Sequence, residues 1–494
     1  MRRAMVAVAF TVALSMFWSV GASAGPISPA ALTPPSPVCL PRTTPISQAP
    51  ATEVSDTVVN GTGGRLQQVV LDSPAMGGDE NLDVLLPPDY NADPTTRYPT
   101  LYLLHGSGGS FKDWVDNGVQ RLIDADTTAE GLSPFITVMP GGGLWGYYSD
   151  WYGNDITDPT AGPVPAYATY YIDELIPWVD AHYRTIADRQ HRAIAGLSMG
   201  GFGAMSLAAR YPDVFGTAGS FSGAVDTDID YPAGGLILDG ASPVFTDSTP
   251  ENCVWGDPVT QGVIWHGADP TYLAGNLAHT SLFIAFGNGT PGPYDNTSTA
   301  EGAFTAYTDG ATEALIYDMN QDFIGALDPA DVPFTEYYYG DGTHSWPYWL
   351  RDLTHFLPQM NAQFALSSQN IEPGPFSYRS MMPSFTAGGW HFTAVRLVKE
   401  FTYLTGVRAS GMTVSGSGTL DVVSAPLYLP GESYLVREVS KGGCGTTVQH
   451  AVASEGGTIA FTVGLGLSHR VQQTSFGADA TEDWTQTQVS ITLS

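Results

Sequence analysis

The feature that most constrains the fold is a series of short, almost uninterrupted apolar runs separated by segments of helical periodicity. TLYLLHG (100–106), PFITVMPGGG (134–143), HRAIAGLS (191–198), TAGSFSGAV (217–225), SLFIAFGNG (281–289) and FTEYYYG (334–340) have the length of buried strands. TYYIDELIPWVDAHY (169–183, interrupted by Pro177), GFGAMSLAARYP (201–212) and the stretch from Trp346 to Leu357 read as helices. Strands that are apolar on both faces and alternate with helices predict a mostly parallel sheet covered on both sides. Functional loops of such a sheet gather at the carboxyl ends of its strands. Alternation at Leu66–Leu71 and Leu82–Leu86 predicts an antiparallel pair ahead of it.

The composition shifts at both ends of this α/β region. Two arginines, an apolar run and Ala22-Ser23-Ala24 predict a secretory signal peptide over 1–24, and hence an exported protein, extracellular or in the cell wall; a retained N-terminal membrane anchor is the alternative, against which the A-x-A site argues. A Pro/Ser/Thr-rich segment over 25–55 predicts a flexible leader. The α/β region occupies 56–366. A break at SSQNIEPGPFS predicts a linker over 367–376, and the short alternating strands with Gly-rich turns beyond it predict an all-β, sandwich-like domain over 377–494. With the chemistry-bearing residues all before the break, the α/β part is expected to fold and act without the β part. Within the latter, PSFTAGGWHFTAV (383–395) is expected to place Trp390 and Phe392 in the sandwich core, with a sugar- or lipid-binding platform as the alternative.

A net charge of −30, with only 19 Lys plus Arg, argues against nucleic acid and anionic lipid as partners. No apolar run of the mature chain has the length of a bilayer span. The three cysteines, Cys39, Cys253 and Cys444, allow one disulfide and one free thiol. Their separations exclude a zinc-ligand pattern, and no metal or cofactor is implied.

GLSMG (196–200) places Ser198 between two glycines, directly after a predicted strand and directly before a predicted helix. That is the setting of a G-x-S-x-G nucleophile elbow, in which the glycines permit a tight turn that exposes the serine oxygen. A serine hydroxyl needs a base, the base an orienting acid, and the oxyanion its donors. His344, after the last predicted strand, is the expected base. The acid lies between the GNG strand and His344, among Asp295, Glu301, Asp309, Glu313 and Asp318, and spacing does not choose between them. The backbone N–H groups of Met199 and of Ser107, in the loop HGSGG (105–109), are the expected oxyanion donors. His105, Trp151 and Trp346 are candidate substrate contacts.

YSDWYG (148–153), GLSMGGFGAM (196–205), AFGNGTPG (285–292) and GTHSWPYW (342–349) resemble the antigen 85-type secreted mycolyltransferases of actinobacterial cell walls. RYPTLYLLHG and MPGGG resemble the wider esterase D-like superfamily. The resemblance covers roughly residues 60 to 365. It implies an α/β-hydrolase fold and a Ser-Glu-His triad, and it selects Glu313, which precedes Asn320-Gln321 at the matching place. Where those transferases carry an Asp-Gly-Leu-Arg turn, this chain has His105-Gly106-Ser107-Gly108, so the charges that hold trehalose are missing. The expected function is a secreted serine esterase or acyltransferase on acyl esters, cell-envelope glycolipids or carbohydrates included. A carbohydrate esterase or polyester hydrolase using only water, and a catalytically idle wall-binding protein, are the alternatives.

Overall fold

The computed structural model describes residues 39–155, 162–227, 252–257, 260–366, 374–441, 445–473 and 484–494. The signal peptide, Cys444 and most of the predicted linker lie outside the described residues.

Among the described residues the strands of the α/β part are β1 (Cys39–Pro41), β2 (Thr52–Val58), β3 (Leu66–Ser73), β4 (Gly78–Leu85), β5 (Thr100–Leu104), β6 (Ile136–Pro140), β7 (Gly153–Asp155), β8 (Arg192–Leu197), β9 (Thr217–Phe221), β10 (Ser281–Phe286) and β11 (Phe334–Tyr338). Nine of them form one sheet in the order β11-β10-β9-β8-β5-β6-β4-β3-β2. The pairs from β11 to β6 are parallel, and β4, β3 and β2 add antiparallel strands at one edge. The chain runs from β5 to β6 on one side and to β8 on the other, which opens a crevice at the strand ends between β5 and β8.

The longer helices are α1 (Val119–Glu130), α2 (Ile176–His182), α3 (Met199–Arg210), α4 (Gly262–Ala268), α5 (Ala300–Leu327) and α6 (Trp346–Phe364). Side chains of a strand alternate between faces, and here both faces are apolar. Leu101, Leu103, Ala193, Ala195 and Phe283 face the layer built by α1 and α6. Tyr102, Leu104, Ile194, Leu282 and Ile284 face the opposite layer, with Phe202 and Met205 of α3 and Met319 and Phe323 of α5. The interruption expected at Pro177 takes the form of a π-helical stretch, Tyr170–Leu175, that leads into α2. A proline nitrogen donates no hydrogen bond to the preceding turn, so the ladder changes its period there.

Two organisational expectations differ from the structure. The leader is pinned from Cys39 onward. β1 pairs with β7, Arg42 donates to the Tyr152 and Pro165 carbonyls, and Cys39 is disulfide-bonded to Cys253. Composition alone carried no sign of these long-range partners.

The C-terminal strands form a six-stranded and a four-stranded antiparallel sheet around their own core, with Trp390 and Phe392 fully buried in it. That placement leaves neither ring available as a binding platform. This sandwich is not free-standing. Phe401 is fully buried in the core of the α/β part, against Tyr272. Asn276 exchanges two hydrogen bonds with the backbone of Arg379, Asp213 accepts from the N–H groups of Gly388 and Gly389, and the Tyr378 hydroxyl donates to the Arg210 carbonyl at the end of α3.

Candidate active site

Ser198 follows β8 at the centre of the sheet and adopts φ 54°, ψ −118°, a conformation costly for a residue with a side chain. Its neighbours explain why the turn is built from glycine. A Cβ on Gly196 would stand 2.5 Å from the Gly200 carbonyl oxygen, and one on Gly200 would stand 2.6 Å from that of Leu104. The turn is fastened by Ser198 N–H to the Phe221 carbonyl and by Ala224 N–H to the Ser198 carbonyl.

His344 lies in the loop after β11 and α6 begins two residues later. Its Nε2 is 2.8 Å from Ser198 Oγ and its Nδ1 is 2.7 Å from Glu313 Oε2. Trp349 of α6 packs edge-on against the imidazole. Glu313, on α5, is completely buried. Its other oxygen accepts from the Ser222 hydroxyl at 2.8 Å and from the Gly287 N–H at 2.7 Å, and Tyr339 OH approaches at 3.4 Å. A buried carboxylate is tolerable only when its lone pairs are met, and here they are. Burial, with the Glu313 charge adding to it, pushes the Tyr339 phenol well above its ordinary range, so it remains a donor.

The other carboxylates considered as the acid are placed elsewhere. Asp295 accepts from Thr343, Tyr348 and Gly292, and its oxygens are not among the partners of His344. Asp309 meets His344 through its backbone, whose oxygen accepts from His344 N–H at 3.2 Å. Burial raises the Asp309 carboxyl, and the nearby His344 opposes that shift. Glu301 is exposed in the first turn of α5, and Asp318 lies further along the same helix.

Met199 is the first residue of α3, so its N–H has no acceptor within the helix. The loop after β5 lies against Ser198: a Cβ on Gly106 would be 3.3 Å from Ser198 Cβ. The loop's own backbone bonds use the N–H groups of Gly108, toward Leu144, and of Gly109, toward Gly106. The Ser107 N–H takes no part in them.

The expectation for His105 is corrected. Its side chain is 1% exposed, Nδ1 bonds the Gly106 carbonyl and Nε2 accepts from Gly142 N–H. Both ring nitrogens are occupied, and burial lowers its pKa, which keeps it neutral. His105 braces the loops after β5 and β6 and offers nothing to a substrate. Trp151 and Trp346 are half-buried. Trp151 donates to Gly146, and Trp346 packs edge-on against Trp114 and Trp349. Sequence reasoning missed Ser222, Gly287, Tyr339 and Trp349. The one local sign was Ser222-Gly223 at the carboxyl end of an apolar strand, where positive φ (47°) turns the hydroxyl toward Glu313.

Sheet order, crossovers and the elbow after the central strand define an α/β-hydrolase fold with an additional β part. The chain belongs to the putative esterase family, whose model matches residues 73–360, the segment that contains Ser198, Glu313 and His344. An esterase of Mycobacterium tuberculosis is 39% identical over 170 residues, 34% of this chain and 34% of that protein. The chain thus spans about a third of the length of that relative. The diacylglycerol acyltransferase/mycolyltransferase Ag85B of Mycobacterium leprae is 30% identical over 278 residues, 53% of this chain and 75% of that protein. Among solved structures, Mycobacterium tuberculosis MPT51 (FbpC1) aligns with a TM-score of 0.45 at 21% identity, over 63% of this chain and 99% of that one.

Among the described residues no helix is long and apolar enough to cross a membrane, and no cluster of His, Cys, Asp and Glu has the arrangement of a metal site.

Proposed function

We propose that the protein is an exported serine esterase or acyltransferase that cleaves acyl esters through Ser198, His344 and Glu313. The observation that carries this reading is the position of one imidazole, 2.8 Å from the elbow serine and 2.7 Å from a fully buried carboxylate. Ser198 Oγ attacks the ester carbonyl carbon, and its proton passes to His344 Nε2. The tetrahedral oxyanion is held by the N–H groups of Met199 and Ser107, at the positive end of α3. The C–O bond to the alcohol breaks, and His344 returns the proton to the departing oxygen. Water or an acceptor hydroxyl, deprotonated by the same histidine, then attacks the acyl-serine and frees Ser198. Glu313 fixes the imidazole with Nδ1–H toward it and stabilises the imidazolium.

Hydrolysis, or transfer to an alcohol other than trehalose, is favoured over transfer to trehalose. His105 is occupied on both ring nitrogens and Gly108 has no side chain, so the turn after β5 presents no charged grip for a sugar. The predicted signal peptide and the Cys39–Cys253 disulfide support export, because disulfides persist in oxidising compartments.

The test is turnover of a soluble p-nitrophenyl ester together with labelling by a fluorophosphonate. Ser198→Ala is expected to lose both labelling and about 10⁴-fold or more of turnover with its melting temperature retained. Unchanged turnover in that variant rejects the reading. Product analysis with a long-chain acyl ester and excess trehalose separates the two outcomes, since acyl-trehalose as the main product restores a mycolyltransferase assignment.

A further inference from the structure

His344 is carried on a loop, and a loop by itself does not hold a ring to a few tenths of an ångström. The loop after β11, residues 339–345, is zipped to the loop after β10, residues 287–295. Asn288 N–H donates to the Gly340 carbonyl and Gly289 N–H to that of Gly342, and the Asn288 side-chain amide reaches the Asp341 carboxylate. The same strip sets the acid, because Gly287 N–H donates to Glu313.

At the far end of the strip stands Asp295. Its Oδ1 accepts from the hydroxyl of Thr343 at 2.6 Å, and its Oδ2 accepts from Tyr348 OH and from Gly292 N–H, both at 2.7 Å. Thr343 and Tyr348 are fully buried. Thr343 immediately precedes His344, and Tyr348 sits in the first turn of α6. Asp295 therefore ties together the residue before the base, the helix after it and the neighbouring loop. On the other side, His344 N–H is held by the Asp309 carbonyl. All three groups facing Asp295 donate to it, so its two oxygens serve as acceptors throughout. An amide in its place would turn an N–H toward one of them.

We propose that Asp295 is the positioning residue of the base: through Thr343 it holds His344 in reach of Ser198 and Glu313 at once. The proposal rests on the esterase reading above. Its chemical consequence follows from geometry, since a shift of about 1 Å would open the hydrogen bond to Ser198 beyond useful length and cost about a hundredfold in rate.

The experiment compares Asp295→Asn, Thr343→Val, Thr343→Ser and the double variant Asp295→Asn/Thr343→Val, using p-nitrophenyl butyrate turnover, fluorophosphonate labelling rate and melting temperature. Asp295→Asn and Thr343→Val are each expected to lower kcat about 10- to 100-fold, with the labelling rate falling in parallel. KM should stay within about twofold of wild type, because binding surfaces are untouched. Thr343→Ser, which keeps the hydroxyl, should restore kcat to within about threefold, and the double variant should be no worse than the worse single one. Wild-type kcat in Asp295→Asn overturns the proposal, as does a loss that Thr343→Ser shares or one that appears equally in KM. If Asp295→Asn does not fold, Thr343→Val decides: full kcat there overturns the proposal. Absence of labelling at Ser198 in the wild type overturns the esterase reading and this role with it, whereas normal wild-type labelling with full turnover in Asp295→Asn overturns this role alone.

Discussion

Glu313 Oε2 lies 2.7 Å from His344 Nδ1 although the two residues are 31 positions apart, one on a helix packed beside the sheet and the other in the loop after its last strand. The opposite oxygen of the same carboxylate is occupied by Ser222 and Gly287, which come from the ends of β9 and β10. One buried charge thus gathers the carboxyl ends of three neighbouring strands, and the histidine is oriented by a group that has no freedom of its own.

Glu313→Gln is expected to reduce kcat by about 10⁴-fold, because an amide neither stabilises the imidazolium nor fixes the correct tautomer. Glu301→Gln, on the exposed first turn of the same helix, should leave turnover within about twofold of wild type. Steady-state kinetics of the two purified variants check this, and the reverse ranking would move the acid to Glu301.

Loss of the disulfide is expected to destabilise the protein. Cys39 and Cys253 are 214 positions apart, so the bridge restrains a long loop in the unfolded chain and also fastens the β1–β7 pair. Cys39→Ser/Cys253→Ser should lose about 2–4 kcal/mol by denaturant titration. A midpoint equal to wild type would contradict this.

Glu80 gives stability a defined slope with pH. Burial first, and the Glu174 charge second, push its carboxyl from 4.5 up to about 7. The phenols of Tyr167, Tyr170 and Tyr171 also lie within its field. The folded state therefore binds a proton that the unfolded state releases. This contribution is complete below pH 4.5 and is lost as pH rises through about 7. Glu80→Gln should flatten the fall of melting temperature across that window. It should not abolish it, because burial also raises Asp83 to about 6 and Asp352 to about 8. A steeper slope in the variant would reverse the sign assigned here.

Phe401 belongs to the C-terminal part by sequence and to the core of the α/β part by packing. Phe401→Ala is expected to cost about 3–5 kcal/mol. Truncation before residue 374 should expose Tyr272 and the surface around Asn276, giving a protein that aggregates more readily than the full chain. Scanning calorimetry and light scattering of the two variants test this. A truncated protein as stable and soluble as the full chain would show that the two parts are energetically independent.

The sheet was legible because strands buried on both faces must be apolar at nearly every position, and helices that cover them must be periodic. The elbow was legible because Gly196, Ser198 and Gly200 are local: a turn that tight excludes side chains at fixed spacing, and the spacing is written in the chain. His344 could be located by its place after the last strand. The choice of Glu313 over Asp295, Glu301, Asp309 and Asp318 rests on family resemblance, since five carboxylates in one stretch carry no local mark of which way they face. Only the folded chain decides that, because burial and partners are properties of what comes together. It buried His105 between two loops, although its position in the turn pointed to a substrate contact. It gave Asp295 to Thr343 and Glu313 to Ser222, Gly287 and His344. It also drew Cys39 from a Pro- and Ser-rich leader to Cys253, and Phe401 out of one core into another. Turns and periodicities are paid for within a few residues, so sequence determines them; the pairing of charges, thiols and apolar faces is settled by distances that exist only in the tertiary structure.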